Sequence, residues 1–148
     1  GVRDGPTLAG DVTVADLVSV IPFEEPVSVA ELTGEELLDV FRGARGGSLG
    51  FAEPDWWHAH VSGAELEWDE ASSALAAARA AGEPVDPDAT YTLATTDYLF
   101  YSDDEFPALD EDHRVARLDV QHEVLASYAR QRGIDPEIEG RVRLHADD

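Results

Sequence analysis

The residues best placed to do chemistry lie in one stretch, Tyr91–Leu109, which reads YTLATTDYLFYSDDEFPAL. It begins as an apolar, β-rich run with Tyr91, Leu93 and Ala94. It turns aromatic at Tyr98, Phe100 and Tyr101, then breaks into Ser102-Asp103-Asp104-Glu105 ahead of Phe106-Pro107. A strand that delivers rings and then carboxylates into a loop suits a flat polar ligand, because loops at strand ends are where binding groups tend to sit. The same pattern also fits a core strand followed by an acidic surface turn. The oxygens of Asp103, Asp104 and Glu105 suit calcium, but their spacing is not that of an EF-hand. His58 and His60 would share one face of an extended segment, and no third ligand at matching spacing completes a metal site. No Ser-His-Asp triad can be argued from the scattered His113, His122 and His145.

The elements around this stretch follow from caps and periodicity. Thr13-Val14-Ala15-Asp16 has the logic of a capping box and opens a short helix to about Val18, which Ile21-Pro22-Phe23 ends. Pro26–Leu32 alternates as a strand, with Val27, Val29 and Glu31 on one side. Thr33-Gly34-Glu35-Glu36 is a second capping box, and its helix places Leu37, Leu38 and Phe41 on one face before Gly43. Gly46–Gly50 reads as a flexible connection without the Lys and spacing of a phosphate-binding P-loop. Val61–Trp68 alternates as a strand, whereas the Ala-rich Ser72–Ala81 locally prefers helix. Gly82-Glu83-Pro84 and Asp86-Pro87-Asp88 are turns. After Leu109 an acidic loop leads to a helix from about Val120 to Arg132, with Val124, Leu125 and Tyr128 inward and Gly133 closing it. Arg141–Leu144 is a short last strand. The expectation is one α+β domain over residues 1–148, with a mixed β-sheet, two longer helices and one short helix.

Composition narrows the function classes. The chain has 148 residues, enough for one core. It has no Cys, which rules out disulfides and thiolate metal sites. There is no apolar run long enough for a membrane segment and no signal-peptide pattern. It has 32 Asp+Glu against 10 basic residues, all of them Arg, for a net charge of −22. Such a field disfavours contact with a nucleic-acid backbone. The carboxylates run through every region instead of forming a tail, and 43% of residues are hydrophobic, so a folded domain is expected. Self-repulsion of this size falls away when the screening length drops to about 3 Å at molar salt. The surface therefore reads as that of an extreme halophile. The absence of Met and the abrupt start fit either a processed initiator or a piece of a longer protein that continues upstream.

Four segments in order resemble the C-terminal domain of the 5′-nucleotidase family. Gly1-Val2-Arg3 matches the end of N-G-G-G-(I/V)-R. Gly10-Asp11-Val12-Thr13 with Ile21-Pro22-Phe23 matches G-D-(I/V)-T followed by (L/V)-P-F. Glu31–Leu37 matches E-L-T-G-x-x-L. Gly82–Pro87 with Tyr91–Thr95 matches G-x-P-(L/V)-D-P followed by Y-x-(V/L)-A-T. Family members pair this domain with an N-terminal metallophosphoesterase domain that holds two divalent metal ions. The present chain lacks that domain's D-x-H and G-N-H-(D/E) motifs, so the resemblance implies no cofactor in this domain and no hydrolysis by this chain alone.

What the resemblance implies is binding of a nucleotide or related phosphorylated small molecule, with the base clamped between two rings. Tyr98 matches one ring position; His58 matches the other in strict register, with Trp57 one residue away. Asp104 matches a carboxylate that binds the nucleoside, and Arg3 an arginine that reaches the phosphate end. Arg42 or Arg45 could supply a second contact. The chain departs from the family's N-(F/Y)-L-x-x-G-G-D-G-(F/Y), since Ser102, Asp103 and Glu105 replace its glycines. Glu25 stands where an Asn is expected after Pro-Phe. Glycine permits positive φ and close approach of a ligand, and the new carboxylates would repel phosphate, so these changes point to a different substrate. A domain of this fold serving as a structural or interaction module is the alternative. Proteins of that family are often exported or at the cell surface, so the resemblance extends the same expectation to the parent chain. The acidic surface, not the resemblance, points to a high-salt organism.

Overall fold

The computed structural model describes residues 2–3, 7–45 and 56–145. Its elements, in chain order, are α1 (Val14–Val20), β1 (Pro26–Thr33), α2 (Gly34–Arg42), β2 (Ala64–Asp69), β3 (Ala74–Ala80), β4 (Glu83–Pro84), β5 (Thr90–Thr96), β6 (Arg114–Val120), α3 (Gln121–Arg132) and β7 (Val142–His145). They form the expected α+β domain, divided into two sheets. The first is antiparallel with order β5-β1-β6, and the second is mixed with order β4-β3-β2-β7, β7 running parallel to β2.

Both capping boxes form as their residues dictate. The Thr33 hydroxyl accepts the Glu36 N–H at 3.3 Å, while the Glu36 carboxylate accepts the Thr33 N–H at 2.7 Å. Thr13 and Asp16 repeat the arrangement at α1. Two otherwise orphaned donors are satisfied at each helix start. Gly34 has a further reason to be glycine: a Cβ there would lie 1.9 Å from the Asp86 carbonyl oxygen. Its N–H donates to the Ala89 carbonyl at 2.8 Å, which ties the start of α2 to the turn before β5.

The core joins Ala30 and Leu32 of β1, Leu37, Val40 and Phe41 of α2, Leu66 of β2 and Ala78 of β3 to Phe100, Phe106 and Leu109. Helix α2 contacts β1, β5 and β3, so it fills the space between the sheets. Helix α3 packs on β1, β6 and α1.

Several local expectations differ. In β1 the fully buried side chains are Ser28, Ala30 and Leu32, so the core face is opposite to Val27 and Val29, which are half-buried. Residues 72–81 are not helical; they supply β3. Ala81 and Gly82 both take positive φ, +51° and +85°, and so turn β3 back onto β4 in the sense that two-residue hairpins favour. Pairing to β2 along its length outweighs the modest helix preference of alanine. Strand β6 occupies part of what reads as an acidic loop; its outward Val115 and Leu118 are exposed, so no clean alternation betrays it. In α3 the buried residue is Ala126, whereas Tyr128 is 63% exposed. His58 and His60 lie outside any strand, and the Gly46–Gly50 connection lies outside the described residues.

Candidate functional site

Strand β5 ends at Thr96 and runs directly into a 3₁₀ turn, Asp97–Phe100. At three residues per turn, Asp97 and Phe100 fall on the same side. Both point inward: Asp97 is 5% exposed and Phe100 is 2% exposed. Asp97 accepts the Ser28 hydroxyl at 2.6 Å and pairs with Arg114 at 3.2 Å and Arg117 at 3.1 Å. Burial pushes its carboxyl upward, but the Ser28 hydroxyl and the two guanidiniums outweigh burial, and its pKa lies below the ordinary carboxylate value. Arg114 also lies over the Phe100 ring, 5.5 Å from its centroid. With the turn pinned on this side, Tyr98 projects outward and is 41% exposed.

The segment after the turn is tied down in sequence. The Tyr101 ring meets Tyr98 edge-on at 5.7 Å, and its hydroxyl donates to Glu25 at 3.0 Å. Desolvation and this bond raise the Tyr101 hydroxyl above its usual pKa, so it remains a donor. The Glu105 N–H donates to the Ser102 hydroxyl at 3.0 Å, and the Glu105 carboxylate accepts from His58 Nε2 at 2.8 Å. Phe106 and Leu109 are buried in the core. The loop does not use left-handed backbone where the family pattern has glycine. Positive φ falls instead on Phe106, at +51°, whose ring packs into the core and near Gly43. The stretch is thus an anchored loop and not a free acidic turn.

In front of Tyr98 is a cavity of about 420 Å³. Arg3, Phe23, Glu25, Tyr98, Glu105 and Gln121 supply its polar and aromatic wall. The Arg3 guanidinium sits 4.9 Å from the centroid of Phe23, and the Arg3 N–H donates to the Val20 carbonyl at 2.9 Å. Gln121 is held by donation from its amide to the Thr96 hydroxyl at 2.9 Å. The arrangement can stack a flat ring on Tyr98, meet an anion at Arg3 and accept hydrogen bonds at two carboxylates.

Of the residues singled out from sequence, the structure brings Arg3 and Tyr98 to this cavity. His58 stands one residue behind the wall. Its ring stacks on Phe106 at 5.0 Å and 20°, leans on Trp56 at 4.8 Å, and reaches the cavity only through Glu105. Trp57 faces away: it meets Trp68 edge-on at 5.8 Å and donates its indole N–H to the Ala59 carbonyl. Its backbone bridges to Arg45, and its side chain packs against the core. Asp104 is exposed and lies outside the cavity lining. The rings lining the cavity are therefore Tyr98 and Phe23. Phe23, Glu25, Glu105 and Gln121 are wall residues that sequence reasoning did not single out as binding residues. The departures at Glu25 and Glu105 were visible signals; Gln121 offered none. Among the described residues no group of three or more His, Asp or Glu side chains could hold a metal ion, and no helix is long and apolar enough to cross a membrane.

Comparison with known proteins bears on the family and the fold. The family model for the 5′-nucleotidase, C-terminal domain, matches residues 1–111. The chain is 29% identical to the UshA protein of Escherichia coli over 132 residues, covering 88% of this chain and 23% of UshA. It is 30% identical to an apyrase of Tabanus yao, covering 91% of this chain and 27% of the apyrase. The chain thus spans about a quarter of the length of these curated relatives. In structure it resembles a 5′-nucleotidase precursor from Thermus thermophilus, with a TM-score of 0.74 at 24% identity over 90% of this chain and 28% of that one. It also resembles the NAD nucleotidase of Haemophilus influenzae, with a TM-score of 0.77 at 17% identity over 95% of this chain and 28% of that one. With a family model covering most of its length and the matching fold, the chain belongs to the 5′-nucleotidase C-terminal domain family.

Proposed function

We propose that this domain binds the nucleoside part of a phosphorylated small molecule and sets the specificity of a 5′-nucleotidase-like phosphohydrolase. The observation that carries this reading is the cavity in front of Tyr98, where an exposed ring and the Arg3 guanidinium line the same space. A base stacks on Tyr98 while its phosphate is turned toward Arg3, away from Glu25 and Glu105. The hydrolytic step belongs to a separate metallophosphoesterase domain of the parent protein, carrying the two divalent ions that activate water. Alone, the 148-residue chain binds and does not hydrolyse. The net charge of −22 suits a protein working at molar salt.

Titration of AMP, UMP and adenosine into the chain in molar KCl, followed by NMR, tests the reading. Shifts centred on Tyr98, Phe23 and Arg3 are expected. Their absence up to millimolar ligand would favour the second reading, a structural or interaction module, for which the two carboxylates in the cavity wall are the supporting observation.

A further inference from the structure

We propose that Glu25 and Glu105 make this cavity select bases that present an amino group over bases that present a carbonyl at the same position. The inference rests on the nucleoside-binding reading and goes beyond it to the class of base. Each carboxylate is held by one neighbour through one oxygen. Glu25 Oε1 accepts the Tyr101 hydroxyl at 3.0 Å, and Glu105 Oε2 accepts His58 Nε2 at 2.8 Å. Backbone contacts fix both residues further, since the Gln121 N–H donates to the Glu25 carbonyl at 3.0 Å and the Glu105 N–H donates to Ser102. No hydrogen bond among the described residues engages the second oxygen of either side chain. Both residues line the cavity that Tyr98 overlooks.

A carboxylate oxygen accepts and cannot donate. The exocyclic amine of cytosine or adenine has donors to offer such an oxygen in the plane of a ring stacked on Tyr98. The carbonyl at the corresponding position of uracil would set acceptor against acceptor. Arg3 is the only cation among the described lining residues, and its guanidinium is over Phe23, where it suits the anionic end of the ligand. The cavity therefore separates its two recognition tasks: acceptors for the base, a cation for the phosphate. The two glutamates act as specificity-determining residues.

Cytidine and uridine differ at this position and carry no phosphate, so they isolate the base term. Calorimetric or NMR titration of each into the 148-residue chain in molar KCl should give cytidine binding roughly tenfold tighter, the size expected of a charge-assisted hydrogen bond in an open site. Glu25→Gln and Glu105→Gln, made separately, each supply an amide that can also donate, and should bring the ratio toward unity. Far-UV circular dichroism confirms that each variant is folded, and Glu25→Gln carries the test if Glu105→Gln does not fold. Equal binding of cytidine and uridine, or a preference unchanged in the folded variants, would overturn this inference and leave nucleoside binding standing. Binding of neither would overturn both.

Discussion

Ser28 and Asp97 are 69 residues apart in sequence, yet the Ser28 hydroxyl donates to Asp97 Oδ1 at 2.6 Å with both residues buried. This bond ties the middle of β1 to the turn that carries Tyr98. Arg114 and Arg117, from β6, close the group on its other side. The buried carboxylate is satisfied by a hydroxyl and two guanidiniums. Removing it leaves the buried Ser28 hydroxyl without its acceptor and takes one of the two carboxylates that Arg114 meets, Glu111 remaining at 2.9 Å. Asp97→Ala is expected to destabilise the chain by about 2–4 kcal/mol, and Asp97→Asn by about 1–3 kcal/mol, because the amide keeps one acceptor but loses the charge. Urea unfolding in molar salt measures both. A change below 0.5 kcal/mol, on the order of an ordinary surface substitution, would show that the group does not stabilise the turn.

The same carboxylate predicts a pH dependence. Its folded pKa is depressed, so its contribution is fully present above the unfolded value of about 3.9 and is lost as pH falls through the lower folded value. The stability difference between the natural chain and Asp97→Asn should be flat from pH 5 to pH 8, and should shrink below about pH 4. A difference that grows on acidification would reverse the sign and contradict the arrangement.

Much of this was legible in the sequence wherever a local signal has one physical meaning. Thr33 with Glu36 can cap a helix and do little else at that spacing, and the start of α2 followed. Tyr98 stood out at the end of an apolar strand and by its match to a family ring position, and the structure leaves that ring exposed. What was not legible depended on partners far along the chain. Ala74–Ala80 is helical by composition and a strand by pairing with β2. Strand β6 is mostly exposed, so its charged sequence looks like a loop until β1 pairs with it. Trp57 and His58 are adjacent candidates of similar chemistry, and only the contacts with Trp68 and Phe106 show that they face different places.

Gly34 supplies a test of the link between α2 and the turn ahead of β5. A Cβ at this position would meet the Asp86 carbonyl oxygen at 1.9 Å, and backbone cannot move aside as a flexible side chain can. Gly34→Ala should cost about 1–3 kcal/mol through overpacking, although alanine is the better helix former by about 1 kcal/mol. A thermal melt showing stabilisation would mean that the contact relaxes without penalty.

Tyr98 and Arg3 should separate by ligand. Tyr98→Ala removes the stacking face and should weaken a nucleoside and its monophosphate alike, by about 1–3 kcal/mol, whereas Tyr98→Phe should change little. Arg3→Ala should weaken only the monophosphate, since a nucleoside has no anion for the guanidinium to meet. Parallel titrations of adenosine and AMP with the three variants read this directly. Equal loss of both ligands in Arg3→Ala would place the phosphate elsewhere.

The last prediction concerns salt. With 32 acidic against 10 basic residues, repulsion acts over the whole surface. The few arginines are already committed in part to ion pairs such as Arg141–Glu139 and Arg45–Glu70, at 2.8 and 3.0 Å. Added salt screens both kinds of interaction, but like charges greatly outnumber opposite pairs, so repulsion is the larger loss. The melting temperature should therefore climb steeply between low salt and molar KCl, and the rise should be similar in NaCl because screening depends on ionic strength. A folded state equally stable at both extremes would show that the acidic surface is not an adaptation to high salt.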